Sequence, residues 1–139
     1  MVTRPNGTVE LPGGEAVGEE PAVRPAGYHL RRLGLTSNPG PILVVDHMEA
    51  TPLGAVGDRL NFIFYCGKLG PSEIESIGAP ELPPDVRGWE FVDPQYFRAG
   101  ITPYQRRCLD IAVAALSADT GTPYLRNGLR INARVTIPA

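Results

Sequence analysis

Two stretches decide most of what this chain can become. Residues 41–48 read PILVVDHM and residues 61–69 read NFIFYCGKL. Each is a near-continuous apolar run of strand length, the pattern of a strand buried within a sheet. The chain has 139 residues, enough for one domain around one core. The intervening ATPLGAVGD then reads as a loop. Sixteen glycines and fifteen prolines lie scattered between the apolar runs. That is about twice their usual combined share, and it predicts many turns rather than disorder.

The remaining elements follow from local chemistry. Residues 1–7 are polar and read as a loose tail. TVEL at 8–11 predicts a short strand stopped by Pro12-Gly13-Gly14. EAVGEE at 15–20 is an acidic loop. A helix is predicted over 21–33, with Gly34 as its C-terminal stop. Ala22, Ala26, Leu30 and Leu33 share one face of it. Arg24, Tyr28, Arg31 and Arg32 share the opposite face. Pro25 removes a backbone donor near the start and predicts an irregular first turn. A short helix is predicted over 72–77, and WEFV at 89–92 predicts a short strand.

The second main helix has a clear start. Thr102-Pro103-x-Gln105 combines a cap, a first-turn proline and a capping-box partner. It is predicted to run to Ala118, with Cys108, Ile111, Ala112, Ala115 and Leu116 at core spacing. Asn127-Gly128 is a hairpin-type turn among one or two short strands over 123–136. The sum is a single α+β domain over 1–139, with a mixed sheet and two main helices.

Bulk properties narrow the partners. The formal net charge of −2 argues against nucleic acid or an anionic membrane as the main partner. Cys66 and Cys108 stand in no metal-type spacing and read as buried free thiols of a cytoplasmic protein. No apolar run reaches the length of a membrane span, and no signal peptide is read at the start.

One layout stands out. Leu11-Pro12-Gly13-Gly14, then Glu19, then a helix ending in Gly34-Leu35 resembles the Nudix box. That family pattern is G-x5-E-x7-R-E-U-x-E-E-x-G-U, with U aliphatic. The downstream order is also similar to small Nudix proteins: ILVVDHM, LNFIFYCGKL, WEFVDP and a C-terminal helix. The likeness covers residues 8–126. It implies a Nudix-like mixed sheet packed between helices, missing or shortened at its N-terminal strand. An open sheet edge left there tends to pair, which points to a homodimer.

The family's chemistry departs at named positions. Counted back from Gly34, its first glutamate falls on Glu19, its arginine on Gly27 and its next glutamate on Tyr28. Its Glu-Glu pair falls on Arg31 and Arg32. The interval from Gly14 to Gly34 is one residue short of the pattern. With the missing residue inside the helix, Glu20 becomes the first glutamate, Tyr28 takes the arginine position and His29 the next glutamate. Both registers agree on Arg31 and Arg32. In the family those helix carboxylates hold magnesium, a hard cation that takes oxygen ligands. A guanidinium has no lone pair to offer and repels a cation.

Three functional expectations stay open. The first is a small-molecule binder that has lost Mg²⁺-dependent hydrolysis, with Arg24, Arg31 and Arg32 gripping a diphosphate or other anion. It needs no metal or cofactor. The second is a divergent hydrolase of a nucleoside diphosphate derivative, with Mg²⁺ held by carboxylates such as Glu15, Glu19, Glu20 or Asp46. The third is metal-free acid–base chemistry carried by Tyr28, His29, Asp46 and His47. The bland alternatives are a solvated charged helix face and half-buried, hydrogen-bonded histidines. Cys66 as a nucleophile and Trp89 as a stacking platform are the remaining readings.

Overall fold

A computed structural model describes residues 1–50, 57–96, 100–119 and 121–131. Among the described residues the strands form two sheets rather than the single mixed sheet expected. The first holds β1 (Val2–Thr3), β2 (Val9–Glu10) and β5 (Gly88–Trp89), in the order β2-β1-β5 and antiparallel throughout. The second holds β3 (Ile42–Met48), β4 (Arg59–Phe64), β6 (Tyr124–Arg126) and β7 (Leu129–Arg130), in the order β4-β3-β6-β7. Its β3–β6 pair is parallel and its other pairs are antiparallel. The helices are α1 (Val23–Arg32), α2 (Pro71–Ser76) and α3 (Pro103–Ala118), and the class is α+β.

The apolar residues also divide in two. Val44, Ile63, Cys108, Ala112 and Leu125 form one cluster, where α3 covers the inner face of the four-stranded sheet. Val2, Leu33 and Val86 form the other, with Leu82 and Trp89 against them, between the end of α1 and the three-stranded sheet. Val2 is buried and its strand sits between two others, so residues 2 and 3 are not part of a loose tail. A pair of short strands on either side supplies the ladder partners that a polar sequence alone does not announce.

Caps and turns fall where their chemistry requires. Leu33 N–H bonds back to His29 and Leu30, and Gly34 follows at φ +87°. A side chain at Gly34 would also collide with the Ser76 carbonyl, so only glycine fits on both counts. Pro25 is accommodated inside the first turn of α1, where its missing N–H has no helical partner to lose. Thr102 caps α3 by accepting from Gln105 N–H at 3.2 Å. The return arm of the expected capping box is not made: Gln105 Oε1 is buried without a partner. Asn127 and Gly128 both take positive φ and close the β6–β7 hairpin.

Other boundaries shift for physical reasons. The strand expected over 61–69 ends at Phe64; beyond it Tyr65 N–H donates to the Pro41 carbonyl and Gly40 N–H donates to the Tyr65 carbonyl. Cys66 therefore lies outside the strand and is half-buried, whereas Cys108 is buried as expected. Leu109 takes a core position on α3 and Leu116 is exposed. The expected strand over 89–92 is the two-residue β5. The expected loop after β3 falls largely on residues 51–56, and the last part of 123–136 falls on 132–136; both lie outside the described residues.

Leu125 has no exposed surface and faces α3 from the sheet centre. Leu125→Ala is expected to lower unfolding stability by about 2–5 kcal/mol in urea titrations.

Candidate functional site

The sequence candidates separate into three neighbourhoods. The first is the exposed face of α1. Arg32 extends a two-pronged fork to Asp85, with Nη1 at 3.2 Å from Oδ2 and Nη2 on Oδ1. Arg4 reaches the same carboxylate from β1's end, Nη1 to Oδ2 at 2.7 Å. Arg4 Nε is itself held by Glu10 Oε1 at 2.5 Å. The Arg32 guanidinium also lies over the Tyr28 ring, 5.6 Å from its centroid. Hydrogen bonding to Arg32, first of all, holds the Asp85 carboxyl below the usual carboxylate range. The result is an anion seat made by two guanidinia and filled by the chain's own carboxylate.

His29 sits behind this seat. Its ring packs edge-on to Tyr28, with centroids 5.3 Å apart, and lies so close to Gly14 that any side chain there would strike its Nε2. Burial, then the Arg32 and Arg4 guanidinia, hold its imidazole below the ordinary range. Arg4, Pro12, His29, Arg32 and Pro83 line a cavity of only about 10 Å³, the size of one water. Arg24 and Arg31 are exposed on the same helix. Glu19 is exposed, Glu20 accepts from Val17 N–H at 3.3 Å, and Glu15 pairs with Arg59 at 2.7 Å. The acidic loop thus sends its carboxylates in different directions, and the described residues hold no group of three or more His, Cys, Asp or Glu that could bind a metal.

The second neighbourhood is the core around Asp46. This carboxylate has no exposed surface. Its Oδ2 accepts from Tyr104 Oη on α3, and its Oδ1 accepts from Gly128 N–H at 2.8 Å in the β6–β7 turn. Asn61, opposite Asp46 on β4, donates to the Tyr104 oxygen at 3.2 Å. Burial and the Asp46 hydrogen bond push the Tyr104 phenol well above its usual range, so it stays a donor. Burial likewise pushes the Cys108 and Cys66 thiols up, away from thiolate character. Asp46 is a fastener between sheet, helix and turn, with both oxygens occupied.

The third neighbourhood is the outer face of the same sheet. His47 Nε2 lies 2.9 Å from Asp58 Oδ2, and His47 Nδ1 lies 3.2 Å from Tyr124 Oη. Asp58 Oδ1 accepts from Ala50 N–H at 2.8 Å. Arg126, directly opposite His47 across β3–β6, is engaged by Glu49. Sequence reading singled out His47 but not Asp58, Tyr124, Tyr104, Arg4 or Asp85. Only the alternation of Asp46 and His47 was available to point here, since the parallel pairing with β6 joins residues nearly eighty positions apart.

Compared with family models, curated proteins and solved structures, the chain matches none. Among the described residues no helix is long and apolar enough to cross a membrane.

Tyr104→Phe removes the hydroxyl from a fully buried carboxylate and is expected to cost about 1–3 kcal/mol of unfolding stability, read by urea denaturation. His29 gives a pH signature. The unfolded chain takes up this proton near pH 6.5, before the folded chain does. Its contribution is therefore complete above about pH 6.5 and declines as pH falls below that value. His29→Gln is expected to flatten this part of the stability–pH curve, measured by urea midpoints across the range.

Proposed function

We propose that this chain is a Nudix-like protein that binds a small anionic ligand of the diphosphate type without metal-dependent hydrolysis. The observation that carries the reading is the convergence of Arg4 and Arg32 on the single carboxylate of Asp85. A guanidinium fork accepts carboxylate and phosphate in the same two-point geometry. Asp85 offers one negative charge from a half-exposed position, so a more highly charged phosphate group competes for the seat from solvent. The water-sized cavity beside Arg4 and Arg32 is too small for a phosphate group, so on this reading the ligand takes the place of the Asp85 carboxylate. Arg24 and Arg31, exposed on the same helix, draw anions toward this face over a Debye length.

The same residues account for the loss of the family's chemistry. Arg31 and Arg32 stand where the resemblance places a magnesium-holding glutamate pair, and neither side chain can ligate a metal. The remaining loop carboxylates do not converge among the described residues.

The test is calorimetric titration with pyrophosphate and with ADP-ribose, each in EDTA and in Mg²⁺. Binding is expected in EDTA and expected to be indifferent to Mg²⁺. Arg32→Ala is expected to weaken it by about 10-fold or more, and Asp85→Asn, which empties the competing charge, to tighten it by about 10-fold. Metal-dependent turnover of either compound, or binding untouched by Arg32→Ala, would overturn the reading.

A further inference from the structure

We propose that the outer face of the four-stranded sheet carries a nucleophilic site, Asp58–His47–Tyr124, which takes the acyl group of an anionic activated ester onto Tyr124 Oη. This inference is independent of the arginine seat and of the Nudix-like reading. It starts from strand alternation. Val44, Asp46 and Leu125 have no exposed surface, so their neighbours Val45, His47, Tyr124 and Arg126 face outward. The parallel register sets Val45 beside Tyr124 and His47 beside Arg126. The Tyr124 ring reaches one pair along, to His47.

The hydrogen bonds give each group a role. Ala50 N–H fixes Asp58 Oδ1 at 2.8 Å, and Asp58 Oδ2 meets His47 Nε2 at 2.9 Å. The Ala50 N–H, and then His47, hold the Asp58 carboxyl below the usual range, so it is an anionic acceptor. Nε2 therefore carries the imidazole hydrogen, and Nδ1 presents its lone pair to the Tyr124 hydroxyl at 3.2 Å. A nucleophile on a base, with the base oriented by a third group, is the arrangement that activates a weak nucleophile. A purely structural role fits poorly. His47 and Asp58 side chains are 34% and 59% exposed and Tyr124 is 50% exposed, where hydrogen-bonded pairs contribute little to stability.

The neighbouring residues suggest the substrate class. Arg126, paired with Glu49 and directly opposite His47, lines an open cleft of about 420 Å³ together with Arg130, Leu129 and Ile131. A guanidinium beside two aliphatic side chains suits an ester with an anionic end and an apolar body. In the step, Tyr124 Oη bonds to the ester carbonyl carbon and its proton passes to His47 Nδ1. The bond from that carbon to the leaving oxygen breaks, and the leaving oxygen takes the proton from His47. Water then repeats the attack with His47 as base, the acyl group leaves as the acid, and Tyr124 regains its proton.

The test uses the full chain and a carboxylate-bearing arylsulfonyl fluoride, which leaves a stable mark on an activated tyrosine, mapped by peptide mass spectrometry. Tyr28 and Tyr96, 53% and 73% exposed, serve as internal references. Tyr124 is expected to label at least about 100-fold faster than Tyr96, the low end of what a positioned base supplies. His47→Gln and Asp58→Asn are expected to bring it down to the Tyr96 rate while Tyr28 labelling stays unchanged. Arg126→Ala is expected to abolish the preference for the carboxylate probe over its uncharged analogue. With para-nitrophenyl hemisuccinate, whose own carboxylate releases nitrophenolate slowly without protein, release above the protein-free rate is expected in the natural chain and that excess is lost in Tyr124→Phe. Wild-type labelling of Tyr124 no faster than Tyr96 overturns the proposal without any variant. So does release above the protein-free rate that survives Tyr124→Phe.

Discussion

The buried carboxylate of Asp46 is the constraint on which the larger half of the structure hangs. A charge with no exposed surface is costly unless its oxygens are bonded. Here one oxygen is bonded from α3 by Tyr104 and the other from the Asn127-Gly128 turn. Strand, helix and hairpin are therefore joined at one side chain. Gly128 brings its N–H close to Asp46 only because no side chain stands between it, Tyr104 and Cys108. Arg107 adds a bond to the Asn127 carbonyl from the same helix. A slip of one residue in β3 would exchange Asp46 for His47, moving the fastener to solvent and the surface base into the core. One dipeptide thus sets both the register of the sheet and the content of its outer face.

The arginine face of α1 follows a different logic. Positive side chains on a half-buried surface draw counter-charges from whatever is near. Arg32 and Arg4 draw the same carboxylate, Asp85, from a segment more than fifty residues downstream of the helix. This ties β1, α1 and the segment before β5 together and gives the second cluster, Val2, Leu33 and Val86, its polar rim. The proposed ligand site grows from this structural tie, since the fork that holds Asp85 is the fork that would hold a phosphate. In that proposal, stability and binding compete for the same two guanidinia.

Much of the fold is legible in the sequence where local chemistry decides. Gly34, Thr102-Pro103 and Asn127-Gly128 each mark an end or a turn that the structure contains. The apolar run at 41–48, read as a buried strand, contains β3, an inner strand of its sheet. What is not legible depends on pairing over distance. The two-residue strand at Val2–Thr3 exists because β2 and β5 flank it. The split into two sheets, and the partners Asp58, Tyr124, Tyr104 and Asp85, rest on contacts between residues far apart in the chain. Arg32 illustrates the limit: its charge was readable and its counter-charge was not.

The proposed ligand seat would hold its anion on arginines rather than on a metal. Side-chain NMR of the arginine Nε–H groups, recorded in EDTA during a pyrophosphate titration, tests it most directly. The Arg4 and Arg32 signals and the Asp85 amide are expected to move together and saturate, with no response to added Mg²⁺. Shifts that appear only with Mg²⁺, and that centre on Glu15, Glu19 and Glu20 instead, would contradict it.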